Sequence, residues 1–107
     1  MSDRPAGVRP MQESRPPPGA VCRIATICNQ RGLHARAAAR FVKTAGLFEA
    51  EVVVRKNGTE VSGRSIMGLM MLAAAPGTVI ELVGTGRQAE AAVTALAELI
   101  ECKFDEE

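Results

Sequence analysis

The chain has 107 residues, enough for one ordinary domain and too few for two. A hydrophobic share of 47% supplies a core, but an aliphatic one, because Trp and Tyr are absent and Phe41, Phe48 and Phe104 are the only rings. With 13 Lys and Arg against 12 Asp and Glu the chain is nearly neutral, and it lacks aromatic stacking platforms, so a nucleic-acid partner is not expected.

The first twenty residues hold five of the six prolines and few large apolar groups. Such a stretch cannot bury enough surface to offset its ordering entropy, so residues 1–19 read as a disordered Pro-rich tail before a folded domain over 20–107. Val21 to Cys28 is β-branched and apolar, and reads as a strand. Asn29 to Gly32 is the turn after it. Ala35 to Ala45 predicts a helix with Ala38, Phe41, Val42 and Ala45 inward, Arg36, Arg40 and Lys43 outward, and Gly46 as its stop.

Glu49 to Arg55 and Thr59 to Ser62 predict a hairpin around an Asn57-Gly58 turn of type I′. Ser65 to Leu72 is a short serine-capped helix, ended by Pro76-Gly77. Thr78 to Gly84 is a fourth strand. Gln88 to Lys103 is the longest helix, with Ala89, Ala92, Val93, Leu96, Leu99 and Ile100 in one apolar stripe. The order β-α-β-β-α-β-α indicates an α+β sheet, antiparallel or mixed, with helices on one face.

Three cysteines do not make a disulfide framework, and Cys22 and Cys28 would stand about 20 Å apart along one strand. They read as small buried or half-buried thiols. One histidine and no Cys-x-x-Cys pair leave no metal site, and no cofactor motif is present. No stretch is apolar enough to span a membrane and no signal-peptide pattern opens the chain, so a cytoplasmic protein is expected, with no membrane insertion.

His34 is the single histidine, in "RGLHARAAAR", with Arg31, Arg36, Arg40 and Lys43 around it, while Glu98, Glu101, Asp105, Glu106 and Glu107 load the C-terminus. A helix starting at His34 or Ala35 places the imidazole beside unpaired N–H groups, where an anion is favoured. Arg36 can add a charge-assisted contact to the same anion. A neutral imidazole is a competent nucleophile, so the local chemistry suits phosphoryl acceptance. A cap or surface histidine is the plainer alternative. No acid partner for His34 and no nucleophile elbow is evident, which argues against a Ser-His-Asp hydrolase.

"GLHARAAARFV" followed by "GRSIMGLMMLAAAPGT" resembles HPr, the histidine-containing phosphocarrier family of the bacterial phosphoenolpyruvate-dependent phosphotransferase system. The resemblance runs from Val21 through the C-terminal helix. It implies an open-faced β-sandwich: a four-stranded antiparallel sheet covered on one face by three helices. It implies that His34 accepts a phosphoryl group at Nδ1 from enzyme I, with Arg36 steadying the phosphate, and passes it to a IIA-type protein. The protein is then a monomeric carrier and signalling component rather than an enzyme with its own small-molecule substrate.

Ser65 reads as an N-cap, and the resemblance adds regulatory phosphorylation by an HPr kinase/phosphorylase. The helix after it is apolar nearly all round. By the resemblance Leu69 and Leu72 point inward, while Ile66, Met67, Met70 and Met71, with Arg40, form a docking surface beside His34. The family usually has proline where this chain has Ala37. "SIMGLMMLAAAPGT" and the acidic C-terminus resemble proteobacterial members, and sugar-type and nitrogen-type systems both stay open. Two other classes compete with this reading: an interaction module using Ser65 with His34 vestigial, and a small ligand-binding α/β domain, for which the sequence carries no pocket signal.

Overall fold

A computed structural model describes residues 8–10 and 19–106 of the chain. In chain order the elements are β1 (Val8–Pro10), β2 (Val21–Thr26), α1 (Ala35–Ala45), β3 (Glu51–Lys56), β4 (Thr59–Ser62), α2 (Ile66–Met71), β5 (Val79–Thr85) and α3 (Ala89–Glu101). A single 3-10 turn, Lys103–Asp105, follows α3.

The sheet runs β1-β4-β3-β5-β2 and every neighbouring pair is antiparallel. Strands β2 to β5 are the four expected from the sequence, and antiparallel pairing decides between the two arrangements the pattern left open. β1 adds three residues along β4, with Val8 opposite Val61 and Pro10 opposite Thr59. The expected Pro-rich tail falls, apart from Val8–Pro10 and Gly19, outside the described residues.

Strand alternation sorts the side chains. Val52 and Val54 of β3, Val61 of β4, and Ile80 and Leu82 of β5 face the helices and are buried with Phe41, Leu69, Leu96 and Ile100. Gly84 lets α3 lie directly on β5, since a Cβ there would sit 2.7 Å from Val93 Cγ2. On the opposite face Arg55 pairs with Glu60 at 3.1 Å and with Glu81 at 3.7 Å, each its cross-strand neighbour. Asn57 and Gly58 both have positive φ, 49° and 80°, as a type I′ turn requires.

Several expectations need correction. The cysteines are exposed: Cys22 stands on a strand at the sheet's edge, Cys28 lies past its end, and Cys102 caps α3. Val42 and Leu99 are only partly buried, because each lies at the margin of its helix's apolar stripe, whereas Ala37 and Ala97 are in the core. Gly46 ends α1 with an ordinary right-handed φ of −71°, so no glycine freedom is used there. The last helix stops at Glu101, two residues early, because Lys103 enters the left-handed region.

Candidate functional site

His34 is the N-cap of α1. Its backbone is extended, and its carbonyl accepts the first helical bond, from Ala38 N–H at 2.8 Å. No described group accepts from the N–H of Ala35, Arg36 or Ala37, so three donors of the first turn stay open for an anion. The Ala37 N–H is one of these donors. A proline there would therefore forfeit no bond, and α1 begins at Ala35 without one.

The turn before His34 is fixed from two sides. Gly32 has a φ of 68°, and a Cβ there would meet the Ala74 carbonyl oxygen at 2.5 Å. That same oxygen accepts from Leu33 N–H at 2.9 Å, tying the turn to the loop after α2. Asn29, fully buried, donates from Nδ2 to the Gly32 carbonyl at 2.8 Å. The imidazole is thus held by backbone geometry on both flanks.

The structure places an acid partner on His34 after all. Glu106 Oε2 is hydrogen-bonded to His34 Nε2, and Glu106 Oε1 accepts from Asn29 Nδ2 at 3.2 Å. The hydrogen bond from His34 is the main cause that holds the Glu106 carboxyl below its ordinary value of 4.5. Burial opposes it, while the hydrogen bond from Asn29, the charge His34 carries when protonated, and the charge of Arg31 lower it further. An ionised carboxylate only accepts, so the proton of this bond sits on Nε2, and in the neutral imidazole Nδ1 is then the nitrogen with the lone pair.

Glu106 reaches the site through an unusual backbone. Lys103, Phe104 and Asp105 are all left-handed, with φ of 56°, 56° and 60°. Each such non-glycine residue costs roughly 1–2 kcal/mol. Phe104 is completely buried, and burying a phenyl ring returns about 1.5–3 kcal/mol, so the core anchor offsets part of the strain. The turn also sets Asp105 beside Arg40, at 3.5 Å, an exposed pair worth little by itself. Together α1 and the C-terminal turn border an open groove lined by Asn29, Arg31, Arg36, Arg40, Lys103 and Glu106.

Ser65 and the apolar residues singled out with it lie on or beside α2, which packs against α1. Ser65 caps α2, its Oγ accepting from Gly68 N–H at 2.9 Å. Ile66, Met67, Met70 and Met71 are exposed, Met67 to 71%, whereas Leu69 and Leu72 are buried. Arg36 is exposed on the first turn of α1. Glu106, Asn29 and Phe104 had no part in the sequence reading of the site. The only signal available was the acidic C-terminus set against the basic cluster around His34.

Residues 21–102 match the family described as "PTS HPr component phosphorylation site". The phosphocarrier protein HPr of Neisseria meningitidis serogroup A is 55% identical over 80 residues, covering 75% of this chain and 90% of that protein. The phosphocarrier protein NPr of Shewanella violacea is 43% identical over 84 residues, covering 78% of this chain and 92% of that one. Among solved structures, HPr from Thermoanaerobacter tengcongensis superposes with a TM-score of 0.78 at 44% identity, over 81% of this chain and 98% of that one. Sheet order, helix placement and sequence identity converge: the chain belongs to the HPr family, the phosphocarriers of the bacterial phosphotransferase system.

Proposed function

We propose that His34 is the residue that carries the phosphoryl group, taken from enzyme I and handed to a IIA-type protein. The observation that carries this reading is the N-cap position of the imidazole, with no described group bonded to its Nδ1 and three amides beside it unpartnered among the described residues. A phosphate on Nδ1 meets the positive end of α1, and the exposed Arg36 adds a charge-assisted contact. The protein acts as a transient carrier rather than an enzyme, working as a monomer in the cytoplasm through the domain of residues 20–107, with residues 1–19 as a Pro-rich tail. Three exposed free thiols fit such a reducing compartment.

Ile66, Met67, Met70 and Met71 form the docking surface, with Arg40 on its basic rim. Unbranched, polarisable methionines adapt to more than one partner, which suits a carrier that meets a donor and an acceptor in turn. Ser65 is the regulatory site for an HPr kinase/phosphorylase, since the residue is half-exposed at the start of α2. A phosphate there adds nearly two negative charges next to the apolar patch and changes which partners dock.

Incubation with phosphoenolpyruvate and purified enzyme I should give one acid-labile phosphate per chain, absent from His34→Ala. Equal labelling of wild type and variant would sink the assignment.

A further inference from the structure

We propose that Glu106 is a positioning residue for the phosphoryl acceptor: its carboxylate holds the Nε2 proton of His34 and so keeps Nδ1 as the unprotonated nucleophile. The proposal rests on the reading of His34 as the phosphoryl-carrying residue. A neutral imidazole has two tautomers, and its outer hydrogen bond decides which nitrogen is reactive. Here that bond runs from Nε2 to Glu106, so the tautomer with a bare Nδ1 is selected before any donor arrives.

The contact is built rather than incidental. Glu106 does not swing on a free end: Asn29, fully buried and locked onto the Gly32 carbonyl, donates to its second oxygen. Phe104, completely buried two residues earlier, fixes the left-handed turn that returns the chain to α1. Three consecutive left-handed residues with side chains persist only where the surroundings over-determine them. The other charged groups at this groove are Arg31 in the preceding turn, Arg36 and Arg40 on α1, and Lys103 and Asp105 on the C-terminal turn. Asp105 lies beside Arg40, and Glu106 is the described carboxylate bonded to the imidazole.

The transfer step then needs no proton movement at His34. The Nδ1 lone pair attacks phosphorus of the phosphorylated partner, and the bond from phosphorus to the donor atom breaks with its electron pair leaving on the donor. Nε2 keeps its proton throughout. The ring gains a positive charge when Nδ1 is substituted, and the adjacent Glu106 carboxylate offsets it.

Nitrogen-detected NMR of the uniformly labelled protein reads the His34 tautomer without any phosphoryl donor, and rapid quenching reads the transfer rate from phosphorylated enzyme I. Wild type should show the Nε2–H tautomer. Glu106→Ala should give a tautomer mixture and a transfer rate lower by roughly tenfold, with KM for enzyme I unchanged. Glu106→Gln, whose amide oxygen still accepts, should keep the tautomer and recover part of the rate. A pure Nε2–H tautomer in Glu106→Ala, or an unaltered rate, would overturn the proposal. Because the tautomer is read on the unphosphorylated protein, its result stands apart from whether His34 is the phosphorylated residue.

Discussion

His34 and Glu106 stand 72 residues apart in the chain, and their contact gives the site its pH behaviour. The folded carboxyl of Glu106 lies below its ordinary value of 4.5, so the tether adds stability above that value. That contribution fades as pH falls through the depressed value, because the unfolded chain takes up the proton first. Thermal unfolding of wild type and Glu106→Gln should therefore differ near neutral pH and converge as pH falls through that depressed value. A gap that widens on acidification would reverse the assigned sign. The placement of His34 and Arg36 at the start of α1 was legible in the sequence because turn and helix signals are local. Glu106 was not, since it arrives through Lys103, Phe104 and Asp105, three left-handed residues of types that announce no such turn.

At the scale of elements, the periodic segments were the readable ones. α1 and the Asn57-Gly58 hairpin follow directly from apolar spacing and turn chemistry. The end of α3 did not follow, because helical periodicity continues through Lys103 while the backbone reverses under the pull of Phe104 into the core. Ser65 shows how one side chain serves an element and a proposed signal together. Removing its cap bond to Gly68 in Ser65→Ala should cost about 1 kcal/mol in denaturant unfolding. The same variant should lose the acid-stable phosphate that ATP and an HPr kinase add to wild type. Acid-stable phosphate persisting in Ser65→Ala would move the regulatory site elsewhere.

Across the whole molecule, the sheet and its three helices hold the open first turn of α1 next to the apolar surface of α2. Packing of buried aliphatic residues made this architecture legible, since alternation and helical spacing both point to one shared core. Which apolar residues stay outside that core is a tertiary matter, and a six-residue helix with apolar groups all round does not declare it. Met67 is 71% exposed, so Met67→Asp should leave the melting temperature nearly unchanged. It should weaken enzyme I binding by roughly tenfold or more, by placing an unpaired charge in the contact. Unchanged affinity would remove α2 from the docking surface.

The most direct measurement is of where the phosphorus goes. The protein, phosphorylated from phosphoenolpyruvate through enzyme I, can be read by phosphorus and nitrogen NMR together. The expected spectrum has phosphorus bonded to Nδ1 of His34, with Nε2 still protonated against Glu106. Phosphorus on Nε2 of His34 would contradict the role of its carboxylate, and phosphorus on any other side chain would contradict the carrier residue.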